Sequence, residues 1–296
     1  MADLPSFTEV DRYLLSNNDI PAEALAKLDT GKAPRSSYLS SDASKIQVFV
    51  LFGLDGVDSS DSVMLVALDR VHQKIKLISL ARDSYVFIPE YGFFSKLAYS
   101  YTWGGAAMAV KNLNYNYYLN VSDYIAVDFD QLAEIIDRIG GVTVNIDEDE
   151  ARYLSNYPNV HVGDCLLDGE TAVSYARIRK SSATDSDRKR TGRQREVILS
   201  ILNTLQTMAL SQYPGFVRDC LGMCATSFEA ETLLTMAAET LGQNYTVEQY
   251  FFPEGQVDWW AGLIKEYFYY VYDLRRASDR IYRIIYEELY ISGYDD

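Results

Sequence analysis

The sequence predicts an α/β fold, a central mixed β-sheet sandwiched between helices (α-β-α) in a single domain. Three observations lead there. From Ile46 three strand-like runs follow one another, IQVFVLFGL, SVMLVALD and KIKLISL, with short polar connections suited to tight turns. Two later strands, YIAVDF and VTVNI, are separated by an amphipathic helical segment, the alternation expected of α/β packing. Beyond Arg190 the apolar spacing is mainly helical.

Each element has its own signal. Residues 1–45 are polar, carry weak helical signals at Phe7–Leu15 and Ala22–Leu28, and end in the serine-rich SSYLSSDAS, which reads as a linker. The domain is therefore assigned to residues 46–296. In FDQLAEIIDRIGG, residues Leu132, Ile135, Ile136 and Ile139 form one helical stripe, and Gly140 stops it. Val197, Ile198, Ile201, Leu202 and Leu205 form a second stripe. Further helices are expected near Ala230–Leu241 and Trp259–Leu289, the latter placing Tyr282, Tyr286 and Tyr290 on one face as an aromatic surface packed on the core.

Composition narrows the chemistry. The 296 residues are 48% hydrophobic, enough to bury a proper core. With 27 basic against 42 acidic residues, a net charge of -15, the surface as a whole does not suit nucleic acid, and no nucleic-acid partner is expected. His72 and His161 are the only histidines, so triad hydrolase chemistry and histidine-rich zinc sites have little material. Cys165, Cys220 and Cys224 are too few for a disulfide framework, although Cys220 and Cys224 lie one helical turn apart. No stretch approaches the roughly 20 apolar residues of a membrane span. The N-terminus is polar, so the protein is either cytoplasmic or a chain that begins after its anchor.

Against that acidic background, residues 177–195 hold eight basic side chains. Arg190, Arg193 and Gln194 have helical spacing that runs into the stripe of Val197, Ile198 and Ile201, so charged groups head a buried face. A guanidinium there needs an anion or a carboxylate, and its planar fork matches phosphate oxygens. The alternative is an ion-pair network with Asp185, Asp187 and Glu196. Arg177 and Arg179, two apart, share a face if the chain is extended after a short helix from Asp168. Upstream, FGLDGVDSSDSVML sets Asp55 and Asp61 on a connection between two strands, either as turn residues or as ligands of a hard divalent cation such as Mg²⁺. ISLARDSYV ends a strand with Arg82 and Asp83, a surface ion pair or a phosphate-binding arginine.

Taken together, these segments resemble the LytR-CpsA-Psr family over roughly residues 46–200. GLD at 53–55 and SSDSVML at 59–65 match the family's Gly-x-Asp and Arg-Ser-Asp-Thr, LARD matches Pro-Arg-Asp, and KLAYSYTWGG matches Lys-Ile-Asn-x-Ala-Tyr with a Gly-Gly. Gly140–Val142, LDGETAVSYARIR and DSDRKRTGRQ match three further motifs. Ser59 stands where the family has arginine, Ala81 where it has proline, and the loop between Asp55 and Asp61 is short.

The resemblance implies an extracytoplasmic phosphotransferase, held by an N-terminal membrane anchor, that moves a glycopolymer from polyprenyl pyrophosphate to peptidoglycan. It implies magnesium on Asp55 and Asp61, pyrophosphate on Arg82, Lys96, Arg177, Arg179, Arg190, Arg193 and Gln194, and a catalytic set of Asp61, Arg82, Asp83 and Arg190. The general base is Asp61, Asp83 or Asp187. The stripe of Val197, Ile198 and Ile201 is expected to line part of a groove for the lipid. Two rival functions are a non-catalytic polyprenyl-phosphate binding module and a magnesium-dependent pyrophosphatase.

Overall fold

The computed structural model describes residues 19–28, 38–39, 41–56, 60–179, 183–240, 243, 245–286 and 290–291. The helical signal at Phe7–Leu15, the connection 57–59 with Ser59, and the side chains of Asp185, Asp187 and Tyr290 lie outside the described residues. The chain forms two compact units, one of Met1–Tyr124 with Thr246–Asp296 and one of Ile125–Tyr245. The expected α/β class and mixed central sheet are both present.

The first unit opens with α1 (Ala22–Leu28) and the short β1 (Tyr38–Leu39), then β2 (Ile46–Leu54), β3 (Ser60–Asp69) and β4 (Lys74–Leu80). β2 to β4 are antiparallel neighbours rich in apolar residues; β3 and β4 are almost wholly buried, as strands covered on both faces require, whereas β2 mixes buried and half-buried positions. The hairpin β5 (Tyr85–Ile88) and β6 (Phe93–Lys96) follows, then α2 (Tyr99–Tyr117), kinked at Gly104 and Gly105. β7 (Tyr124–Asp128) leads into the second unit.

That unit contains α3 (Phe129–Arg138), β8 (Val142–Ile146), α4 (Glu148–Tyr153), β9 (Gly163–Leu167), α5 (Gly169–Arg177), α6 (Ala183–Thr207), α7 (Tyr213–Met223), β10 (Ala225–Thr226) and α8 (Ala230–Thr240). Three of its helix starts are capped by aspartates. Asp128 and Asp147 each form a reciprocal capping box, with Gln131 and Glu150, and Asp168 accepts from Thr171 N. Ile136, Val142, Val144, Leu167, Tyr175 and Val197 belong to one buried core here.

The chain returns to the first unit as β11 (Thr246–Phe252), which adds parallel to β4 over its whole length. Next comes a correction to the expected helix over Trp259–Leu289. β12 (Trp259–Ile264) and β13 (Tyr267–Tyr272) form a hairpin instead, closed by a two-residue turn in which Lys265 takes a φ of 54°. The aromatic and β-branched side chains of WWAGLI and YFYYVY favour a pleated surface. Among the described residues of this segment only α9 (Leu274–Tyr286) is helical, so the rings of Tyr282 and Tyr286 lie 5.4 Å apart, tilted by 35°, while Tyr290 belongs to β14 (Tyr290–Ile291), paired with β1. Inside the segment expected as linker, Ile20 and Ala24 are buried in a core shared with Ile264, Tyr269 and Val271. Burying an isoleucine side chain contributes about 2 kcal/mol.

Candidate functional site

In the first unit, strand register assembles the charged residues. β3 and β4 pair Val63 with Leu80, and extending that antiparallel register by two residues sets Asp61 opposite Arg82. On the other side of β3, Leu54 faces Ser60 and Gly53 faces Ser62, so Asp61 is the extra residue of a β-bulge, a feature that re-aims a side chain. Asp61 is buried, and its Oδ1 accepts from Arg82 Nη1. Asp83 receives Lys96 Nζ at 2.6 Å and lies 3.6 Å from Arg82 Nε. Lys96 ends β6, and its ammonium also lies 6.0, 6.0 and 5.5 Å from the ring centroids of Tyr99, Tyr267 and Tyr269. Asp55 follows β2 directly and is half-buried.

These residues fit a hard divalent cation. Asp55 and Asp61 stand at one end of the sheet, and the Oγ of Ser60, the residue before Asp61, is buried with no hydrogen-bond partner among the described residues. Mg²⁺ needs no more than one or two protein carboxylates when phosphates and water complete its shell. No group of three potential metal-binding His, Cys, Asp or Glu residues occurs among the described residues.

The second unit holds the other expected residues. On α6 the residues Arg190, Arg193, Val197, Ser200 and Ile201 are buried, so the basic run does head a buried helical face. Arg193 has structural partners. Its Nη1 donates to Glu150 Oε1 at 3.0 Å and its Nη2 to the Ile178 carbonyl at 2.5 Å, while Glu150 Oε2 caps α4 through Asp147 N. The ion-pair alternative therefore applies to Arg193, with a partner other than those suggested by sequence proximity. Glu196 instead accepts from the Tyr175 hydroxyl, whose pKa is raised by burial and by that carboxylate. Burial lowers the Arg195 pKa, against an opposing effect of Glu196. Gln194 Oε1 is buried without a hydrogen bond among the described residues.

Arg177 ends α5 with its guanidinium 4.5 Å from the Phe129 ring centroid, and Arg179 is exposed two residues on, with buried Ile178 between them. In the stripe expected to touch lipid, Val197 and Ile201 are core, whereas Ile198, Leu202 and Leu205 are half-buried. Two motif glycines are explained by packing. A Cβ on Gly141, whose φ is +101°, would stand 2.7 Å from the Leu167 carbonyl oxygen, and one on Gly169 2.1 Å from that of Ala133. Cys165, Cys220 and Cys224 are free.

The model of the LytR_cpsA_psr family matches residues 18–282. The chain belongs to the LytR-CpsA-Psr family. Among relatives, a protein of Enterococcus faecalis named polyisoprenyl-teichoic acid–peptidoglycan teichoic acid transferase TagU is 30% identical over 172 residues, 55% of each chain. The TagU of Oceanobacillus iheyensis is 29% identical over 230 residues, covering 74% of this chain and 69% of the relative. The aligned part thus spans about half of the enterococcal protein. Among solved structures, the LytR-CPS2A-psr family protein YwtF (TagT) with bound octaprenyl pyrophosphate lipid superposes with a TM-score of 0.63 at 19% identity, covering 84% of this chain and 91% of that one. This LytR-CpsA-Psr likeness in structure bears on the fold.

Ser60, the three tyrosines around Lys96, and Glu150 were not singled out from sequence. Ser60 stands inside the quoted SSDS, and Asp147 with Glu150 carries an Asp-x-x-Glu helix-start signal that marks the capping box. Tyr99 stands inside the quoted KLAY, three residues after Lys96, whereas Tyr267 and Tyr269 carry no signal, because nothing in the sequence brings them to Lys96.

Proposed function

We propose that the chain transfers a glycopolymer from a polyprenyl pyrophosphate carrier to a hydroxyl of peptidoglycan, outside the cytoplasm. The observation that carries this reading is the constellation of Asp61, Arg82, Asp83 and Lys96 at one sheet end. Relatives named as teichoic acid transferases, and a structural neighbour with a bound prenyl pyrophosphate, support the substrate class.

Arg82 and Lys96 present positive charge to the pyrophosphate, and their carboxylate partners fix both heads in place. Asp55 and Asp61, with Ser60 beside them, would hold Mg²⁺. When bound, the ion supplies Lewis-acid polarisation of the pyrophosphate oxygens. The acceptor oxygen forms a bond to the phosphorus that carries the glycopolymer, the pyrophosphate P–O bond breaks, and polyprenyl phosphate leaves. The acceptor's proton passes to Asp61 or Asp83, the two carboxylates beside Arg82. Arg82 meets the charge that grows on the leaving phosphate, so catalysis rests on positioning and electrostatics.

Incubating the chain with Mg²⁺, a lipid-linked glycopolymer and peptidoglycan tests the reading. Label moving to the wall polymer with release of polyprenyl phosphate supports it. Donor binding without turnover would make the chain a binding module, and phosphate release independent of acceptor would make it a pyrophosphatase.

A further inference from the structure

Directly behind the Arg82–Asp83 turn runs a line of buried hydroxyls. Ser84 Oγ donates to the Ala81 carbonyl at 2.6 Å and lies 2.8 Å from the Tyr272 hydroxyl, which lies 2.7 Å from the hydroxyl of Tyr117. Ser84 and Tyr117 are fully buried and Tyr272 is 1% exposed, so no solvent completes these bonds. The direction of every proton follows from the end of the line. A carbonyl only accepts, so Ser84 spends its proton on Ala81, Tyr272 must donate to Ser84, and Tyr117 must donate to Tyr272.

The line ends one residue before Arg82, on a turn that other elements also grip. The Ala81 carbonyl accepts from Ser84 N, that of Arg82 from Ala98 N, and that of Asp83 from Tyr270 N, each at 3.0 Å. The hydroxyl line thus joins α2, β13 and the residues that carry the charge pair. Aligned hydrogen bonds in a low-dielectric interior polarise and strengthen one another. Burial pushes both tyrosines up, Tyr272 to about 12, so the protons that order the line stay in place through neutral pH.

We propose that Tyr117, Tyr272 and Ser84 are positioning residues for the transfer reaction, holding the Arg82–Asp83 turn through the Ala81 carbonyl. The proposal rests on the functional reading above for its chemistry, but not for its geometry. A directional line makes a graded expectation. Loss of Ser84 removes the last link, loss of Tyr272 breaks the line in the middle, and loss of Tyr117 leaves Tyr272 still able to donate.

The test compares Ser84→Ala, Tyr272→Phe and Tyr117→Phe with Ser278→Ala, which removes a buried hydroxyl bonded to the Tyr117 carbonyl outside the line. For the full chain with Mg²⁺ and a lipid-linked donor, kcat should fall at least tenfold for Ser84→Ala and Tyr272→Phe and about threefold for Tyr117→Phe. KM for the donor should change less than twofold, and Ser278→Ala should keep wild-type kcat. Amide exchange at Ser84 and Ala98 should quicken at least tenfold in Tyr272→Phe while β3 is unchanged. Unchanged exchange at both amides, or kcat losses that follow melting temperature across all four variants, would overturn the proposal. An inactive wild type would overturn the functional reading instead, leaving the exchange measurement to decide whether the line holds the turn.

Discussion

Replacing Arg193 with alanine should unfold the second unit far more readily than it alters any ligand. Arg193 and Glu150 are 4% and 8% exposed at 3.0 Å, so the substitution leaves a carboxylate without its partner in a nearly dry site. Breaking a buried pair from one side costs about 3–5 kcal/mol. The Ile178 carbonyl loses a donor at the same time, and an unsatisfied buried group costs about 1–3 kcal/mol. These terms overlap, since both groups sit beside one cavity, so a total near 4 kcal/mol is expected, on the order of 10 °C in melting temperature. Urea denaturation of Arg193→Ala, Glu150→Leu and the double variant measures it. The double variant should recover part of the loss, because neither charge is then stranded. A variant Arg193→Ala that melts like wild type but no longer binds inorganic pyrophosphate would refute this reasoning and make Arg193 a ligand.

Three further outcomes follow from packing and titration. Burial pushes the Asp69 carboxyl up, but bonds from Lys76 and His72 outweigh this and hold it below its usual value of 3.8. Its contribution to stability is therefore complete above that pH and lost as pH falls through the lower folded value. Asp69→Asn should weaken the chain at pH 7 yet flatten its stability curve below pH 3.8, and parallel curves would contradict the pairing. Gly169→Ala should cost about 3 kcal/mol, the upper end for overpacking, because the new methyl meets the backbone of Ala133. Wild-type melting of that variant would show that α3 and α5 can separate freely. Burial pushes the Cys220 and Cys224 thiols up to about 12 and about 11, so alkylation by iodoacetamide at pH 8 should be far slower than that of free cysteine. Equal rates would place both thiols in solvent.

What the sequence discloses depends on how local each signal is. β2, β3 and β4 are short runs rich in apolar and β-branched residues bounded by polar turns, and α3 has both a start cap and a glycine stop, so they are readable from short windows. The hairpin β12–β13 was hidden because aromatic residues at mixed spacing suit either period, and only the pairing of Trp259 with Tyr272 selects the strand. Asp55, Asp61, Arg82 and Asp83 were recognisable as residues, but the bulge that singles out Asp61 exists only in the register between β2 and β3. The carboxylates near Arg193 in sequence are Asp185, Asp187 and Glu196, whereas its partner Glu150 lies 43 residues earlier on another helix. Lys96 gains Tyr267 and Tyr269 only when β13 returns to it, after the whole second unit has intervened in sequence.

The most direct measurement is transfer by wild type and by Arg82→Ala, using a labelled polyprenyl-pyrophosphate-linked glycopolymer, peptidoglycan and Mg²⁺, with melting followed in parallel. Wild type should move label into the wall polymer and release polyprenyl phosphate in equal amount. Arg82→Ala should lower the rate about 100- to 1000-fold, the loss typical of one electrostatic contact to a charge that develops in the transition state. Its melting temperature should fall by less than that of Arg193→Ala, because Arg82 keeps 22% of its side-chain surface exposed against 4% for Arg193. Equal rates in the two proteins, or a wild type that holds the donor without turning it over, would contradict the assignment of this site to phosphoryl transfer.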